Sequence, residues 1–574
     1  MPLVEESSLR DGPPTVPVVI IGNGPSGICL SYILSGYTPY LDPTATHPNA
    51  VLYSKLQENK HAPITEQDLE HLSEGLEGRS PNPVGVLFDT LLHPNADLGF
   101  ELPPLLQWKL EAHRHIPHLV LGKATPGGAW HGMEGSMLTI SLGIWMELPG
   151  VNYRDLTPGK LRGVASDRAS PEQISSYYRN YVKIMGLQKN FVDNTYVTSI
   201  QKRHRNCNGS ETDGGMENGS SNNGTTNRVE NGSCNGEGKT GGVGDEGVDG
   251  EGLHSISQGL WEVRGYQHVQ DRHVPFCLFA ENIVLATGAS DSPARLGVEG
   301  EELPFVFHSV RDLGLALSRH GNLGPASDPV LVVGAGLSAA DAVLCACNKG
   351  VSVLHAFRKR VDDPGLIFKQ LPKTLYPEYH QVYHMMCTHA YLAPSSNSSS
   401  ATNSSSGGNM PTATTASPPG YISFPEHCII SFQPDMRCIL QGPGGTLRVF
   451  KISMALVLIG SHPNLFFLKE QGRYLTLDPS RPVSCRHNPL DIHPYSYECC
   501  AEPGFFAMGP LVGDNFVRFL KGGALGIASC LLKRWQEKQK TRGKLIAPGG
   551  GKRGSGSDRE GLLRGGRGRI VLKK

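Results

Sequence analysis

Two short stretches, Gly22-Asn23-Gly24-Pro25-Ser26-Gly27 and Gly334-Ala335-Gly336-Leu337-Ser338-Ala339, constrain this chain more than any other feature of it. Each follows a continuous apolar run, Val16 to Ile21 or Pro329 to Val333, and each leads into a mostly apolar run that can continue as a helix, Ile28 to Leu34 or Ala339 to Ala346. An unbroken β-branched run of strand length reads as a buried parallel strand, and the order strand, G-x-G-x-x-G, helix belongs to a dinucleotide unit. The first glycine allows a tight turn, the second lets the backbone approach a pyrophosphate, and the third lets helix pack on strand. Ala339 is an acceptable small residue at the third place. The helix N-terminus then offers N–H groups and a positive dipole end to the phosphates. A single motif of this kind is weak evidence. Two of them predict two dinucleotide sites, on Gly22, Gly24 and Gly27 and on Gly334, Gly336 and Ser338.

The strand after the second motif, Val351 to Phe357, ends in Arg358-Lys359-Arg360 with no acid to read a ribose 2′-hydroxyl. Arg358 and Arg360 there would pair with a 2′-phosphate, which predicts NADPH rather than NADH; the other reading is a solvated basic strand end.

Composition narrows the rest. Lys+Arg and Asp+Glu balance at 53 each, which excludes a strongly basic nucleic-acid binder, so no nucleic acid is expected as a partner. Met1 to Thr15 has no apolar core of a signal peptide, and no apolar run approaches the ~20 residues of a membrane span, so the chain is read as cytoplasmic and without a transmembrane segment. Its 13 cysteines are odd in number and contain no Cys-x-x-Cys pair, which suits reduced thiols. His380, His384 and His389 around Cys387 could set two imidazoles on one helix face. Met385, Met386 and Tyr383 interleave and no further ligands follow at metal-binding spacing, so no metal is expected. Gly, Asn and Ser crowd 204–252 and 394–420, and the tail 541–574 is Gly plus basic residues; all three are expected to be disordered and to offer surfaces for protein partners.

Beyond the glycine motifs, Gly127-Gly128-Ala129-Trp130, Leu285-Ala286-Thr287-Gly288, His308-Ser309, Leu458-Ile459-Gly460 and Gly509 to Asn515 follow in order. Together they resemble the flavin-dependent monooxygenases that include the flavin-containing, Baeyer–Villiger and N-hydroxylating enzymes. The chain as a whole, outside the three low-complexity stretches, is similar to the oxidative stress-induced growth inhibitor family.

That resemblance implies an α/β fold of two dinucleotide-binding, Rossmann-like domains, the NADPH domain inserted in the FAD domain. The expected boundaries are 1–290 for the first part of the FAD domain, with a folded insertion at about 36–117, then 291–455 for the NADPH domain and 456–540 for the returning part. It implies FAD against Gly128 and Trp130, a ribityl chain on Asp514, the helix from Gly523 aimed at the flavin ring, and His308 and Ser309 at the entry to the NADPH fold. By the residues alone, Trp130 is equally a core aromatic and His308 equally a structural histidine, while for Asp514, whose place in G-D-N before a Gly-rich helix suits hydroxyl binding, a cap or turn role is the lesser reading. The implied reaction is hydride transfer from NADPH to FAD and then O2 activation, on a substrate the sequence does not name. The implied biology is regulation of growth, cell death and cytokinesis, with the midbody as a further location.

The chain departs from the monooxygenase pattern in three places. Gly122-Lys123 stands where an acid would bind the FAD adenosine ribose, Glu302 and Pro304 replace a Phe and a Gly before the NADPH fold, and Ile140 stands where the family carries an asparagine that serves oxygen chemistry. These departures recommend an alternative, a degenerate flavoprotein fold acting as a non-catalytic regulator or partner-binding protein. A disulfide reductase is a third reading, disfavoured by the missing cysteine pair.

Overall fold

A computed structural model of the chain describes residues 14–133, 137–156, 168–203, 259–318, 323–388 and 420–546. The stretches 204–252 and 394–419 and the tail beyond 546 lie outside these residues.

β1 (Thr15–Ile21) runs into α1 (Pro25–Leu34), and every residue of α1 from Ser26 to Leu34 is buried. A helix apolar on all sides must be enclosed on all sides, and α1 is packed between the first sheet and the C-terminal helix. The segment 36–117 is folded: a hairpin of β2 (Tyr37–Leu41) and β3 (Leu106–Leu110) brackets α2 (Ala50–Glu58), α3 (Leu69–Ser73) and α4 (Pro83–Leu92). Leu52, Leu56, Leu72, Leu87, Phe88 and Leu91 enter the same core as β1, each side chain stabilising it by about 1.5–3 kcal/mol. The chain then re-enters the sheet as β4 (His118–Leu121), parallel to β1 with Leu121 opposite Ile21. α5 (Tyr153–Leu156) and α6 (Pro171–Ile184) precede β5 (Phe191–Val192). An antiparallel meander of β6 (Thr195–Arg203), β7 (Leu260–Val269) and β8 (Arg272–Leu285) returns to the parallel side of β1.

At the end of β8 the chain leaves through β9 (Ser292–Pro293) into a second unit. That unit contains β10 (Val306–Phe307), α7 (Val310–Ser318), β11 (Val330–Val333), α8 (Leu337–Asn348), β12 (Val353–Phe357), α9 (Pro377–Thr388) and β13 (Tyr421–Pro425). A meander of β14 (Cys428–Gln433), β15 (Arg437–Gln441) and β16 (Leu447–Lys451) follows, and β17 (Met454–Val457) completes the unit. The return is by β18 (Ser461–His462), antiparallel to β9. β19 (Phe505–Ala507) then joins β8, and α10 (Gly523–Ile546) ends the described chain.

The first sheet has the order β5-β4-β1-β8-β7-β6 with β19 on β8; the second is parallel throughout, β10-β17-β11-β12-β13. Helices α7, α8 and α9 cover one face of the second sheet and the meander covers the other, each over its own apolar cluster. The architecture is the expected one, an α/β unit inserted within another. The tail differs: its first residues, Thr541 to Ile546, continue α10, where the Gly-plus-basic composition had predicted disorder from 541. Among the described residues no helix is long and apolar enough to cross a membrane.

Candidate functional site

Both glycine motifs form the turn between a parallel strand and a helix. At Gly22, φ is +113°, and an added Cβ would overlap the carbonyl of Ala286. At Gly27 a Cβ would overlap the carbonyl oxygen of Gly22, because α1 lies directly on its own turn. Gly24 is different: it has φ −75° and nothing within 4 Å of an added Cβ. The second motif repeats this. Gly334 has φ +129° and a Cβ there would overlap Leu458 O, Gly336 opens onto space free within 4 Å, and Ala339 is fully buried. Gly24 and Gly336 are the N-caps of α1 and α8, and neither helix has a side-chain cap. Each turn therefore leaves a bare helix N-terminus facing open space, which is what a dinucleotide phosphate requires. Ser338 is exposed in the first turn of α8.

The structure brings the G-G-x-W segment to the first cradle. Gly127 N donates to Asn23 O at 2.9 Å, and an added Cβ on Gly128 would lie 3.0 Å from Gly24 Cα. Trp130 is half-buried against the first core. At the end of β4, Gly122 lies under the carboxamide of Asn23, which donates to Ala124 O at 2.5 Å and leaves no room for a side chain at 122. The position that would carry a ribose-binding acid is thus closed by Asn23. Asn23 stands at an unconstrained place within the motif, so its spacing gave no sign of this role.

Asp514 is fully buried. Its carboxyl accepts from Ser80 Oγ at 2.5 Å, Asn82 Nδ2 at 2.9 Å and Tyr497 OH at 3.3 Å, with no cation among these partners. Burial pushes its pKa up to about 7, against the lowering effect of those bonds. Ser80 and Asn82 belong to the 36–117 segment, as do both carboxylates that meet Arg518. Arg518, 1% exposed, meets Asp89 at 3.2 Å and Asp97 at 2.7 Å, while Lys521 donates to Glu147 O at 2.5 Å beside His93. Phe516, Phe519 and Trp145 stack around the Arg518 guanidinium. Where α10 begins, Gly522 approaches Gly85 of α4 so closely that a Cβ would lie 2.6 Å from Gly85 Cα. The segment that resembles a flavin-binding string is here clasped by α4 and its flanks.

His308 Nε2 meets Glu301 Oε1 at 3.0 Å, and Glu301 also accepts from the amides of Leu296 and Gly297. Burial would raise the Glu301 carboxyl, but these three donors outweigh it and hold it below the usual range. Ser309 Oγ donates to Asp312 at 2.7 Å at the start of α7. Both residues thus brace the entry to the second unit. Beyond β12, Arg360 is engaged with Asp362 at 2.9 and 3.0 Å, whereas Arg358 is exposed and makes no hydrogen bond or ion pair among the described residues. Sequence reading missed His355, fully buried in β12. Its Nε2–H donates to Gly334 O at 2.7 Å and its Nδ1 accepts from Tyr421 OH at 2.8 Å, while burial lowers its pKa to about 4 and keeps it neutral. Ile140 packs on the second core, and its carbonyl accepts from Tyr376 OH at 2.6 Å.

Fold and site together define a protein of two Rossmann-type units, one inserted in the other, each opened by a glycine cradle at a helix N-terminus. A solved structure, the bacillithiol disulfide reductase Bdr (YpdA) from Staphylococcus aureus, shares this fold with TM-score 0.50 and 13% identity over 91% of this chain and 99% of that one. The chain belongs to the oxidative stress-induced growth inhibitor family. It is 54% identical over 557 residues to human oxidative stress-induced growth inhibitor 2, covering 96% of this chain and 99% of that relative. It is 45% identical over 523 residues to the human growth inhibitor 1, covering 91% and 96%. No family model matches the chain.

Proposed function

We propose that this protein is an oxidoreductase that holds FAD at the Gly22 cradle and NADPH at the Gly334 cradle, and that it acts as a monooxygenase. The observation that carries the reading is the matched openness of Gly24 and Gly336, each at an uncapped helix N-terminus with its flanking small residues tightly enclosed. FAD would be held at its pyrophosphate by the α1 N-terminus, with Gly128 against Gly24; NADPH would be held at its pyrophosphate by the α8 N-terminus, with Arg358 available to its 2′-phosphate. Bound flavin would supply the electron and O2 chemistry. The chain's own part is to orient the two nucleotides and keep water from them. The names of the relatives support a link to growth inhibition under oxidative stress, and cell death and cytokinesis belong to the same proposal.

Two observations favour a second reading, a non-catalytic regulator: Asn23 closes the ribose-acid position, and Asp514 is fully buried among Ser80, Asn82 and Tyr497. Purified protein separates the two. Yellow protein that oxidises NADPH, consumes O2 and yields an oxygenated product supports the monooxygenase; colourless protein that FAD does not reconstitute supports the regulator.

A further inference from the structure

The strip Met137 to Ser141 follows the first cradle's G-G-x-W segment, yet Met137 and Ile140 pack on the helical core of the second unit. Arg168 runs beside that strip. Leu142 pairs with Arg168, Thr139 N donates to Ala169 O at 2.8 Å, and Ala169 N donates to Thr139 Oγ1 at 3.0 Å. The Arg168 side chain, 4% exposed, reaches across to the second unit: Nε donates to Thr139 O at 2.6 Å, and Nη1 donates to Glu378 Oε1 at 2.6 Å and Leu375 O at 3.2 Å. Its guanidinium lies 4.7 Å from the Tyr376 ring centroid. Tyr376 OH returns a bond to Ile140 O, and Tyr379 OH donates at 3.0 Å to Asp341 in α8, the helix that opens the second cradle. On the other side, Ser170 caps α6, which packs beside Gly127 at the first cradle.

We propose that Arg168 is a positioning residue that sets the second cradle against the first through this relay, while touching neither nucleotide. A planar fork suits the task, because its edge donates to two carbonyls and a carboxylate from two separate nitrogens while its flat face lies near an aromatic ring, a spread that a compact ammonium does not match. The functional consequence rests on the redox reading: hydride transfer falls about 100-fold for a misplacement on the order of 1 Å.

Arg168→Lys keeps the charge and removes the fork, and Glu378→Gln is the milder variant should the first not fold. In full-length protein, hydrogen exchange is expected to quicken about tenfold or more at 137–141 and 375–380, with the β1 and β11 amides unchanged. In flavin-loaded protein, NADPH-driven flavin reduction is expected to slow about tenfold or more with NADPH affinity nearly constant. Unchanged exchange at both segments overturns the relay. Quickened exchange with flavin reduction at the parent rate overturns the positioning role, as does a loss explained wholly by weaker NADPH binding. If no flavin binds, the redox reading fails while the exchange measurement still decides whether the relay holds the two units together.

Discussion

Gly22 and Gly24 are both glycine, two residues apart, for different reasons, and substitution separates them. Gly22→Val is expected to abolish folding, because it must hold φ at +113° while overlapping Ala286. Gly24→Val has room and an ordinary φ, so the fold is expected to survive at a cost on the order of 1 kcal/mol, while flavin binding is lost by absorbance. Retained flavin in that variant would overturn the phosphate assignment. The two arginines beyond β12 also divide. Arg358→Glu is expected to raise KM for NADPH by about tenfold or more, the scale of ~1.5–3 kcal/mol for a charge-assisted bond, with KM for NADH unmoved. Arg360→Glu should do less, since Asp362 already engages that side chain. Asp514 gives a pH test. Its native pKa is near 7 and an unfolded aspartate's is ~3.9, so the native state holds a proton that the unfolded state releases between them. Its contribution to stability is therefore full below about pH 4 and is lost as pH rises to about 7. Asp514→Asn should remove this slope, so the variant gains on the parent in Tm from pH 4 to 8; parallel curves would refute the assignment.

At the scale of elements, α4 ties the 36–117 segment to the rest. Phe88→Ala is expected to cost about 3–5 kcal/mol in denaturant unfolding, whereas a change at exposed Leu98 should fall within ~0.5 kcal/mol. If Phe88→Ala is nearly neutral, the segment is an appendage rather than core. Much of this level was legible in the sequence. The strands of both cradles could be read because parallel strands buried on both faces leave unbroken β-branched runs, and the turns because their backbone permits only small residues. What α4 grips was not legible: Asp514 and Arg518 meet Ser80, Asn82, Asp89 and Asp97 across more than four hundred residues of sequence, and no local pattern encodes such pairs. Arg168 was missed for the same reason, since its partner Glu378 is remote and its own neighbours in sequence are unremarkable in composition. The end of α10 was misjudged because the Gly-rich composition of the tail as a whole hid the strong helix formers Arg542, Lys544 and Leu545 at its start, which extend the long helix past Thr541 and Gly543.

For the whole molecule, two units with separate cores should respond separately to their ligands. NADPH at about 100 times its Kd should stabilise the protein by ~2.7 kcal/mol even without flavin, and Arg358→Glu, by weakening binding about tenfold or more, should cancel about half of that gain or more in a thermal scan. No shift with NADPH would remove the nucleotide from the second cradle. The paired crossings β9 and β18 carry a last consequence. Because the guest enters and departs through one doorway, its termini are neighbours, and β8 and β19 of the host pair directly across the point of insertion. A guest joined to its host at one doorway can change in sequence without altering the order of strands in the host sheet, so the two cradles are free to diverge from one another.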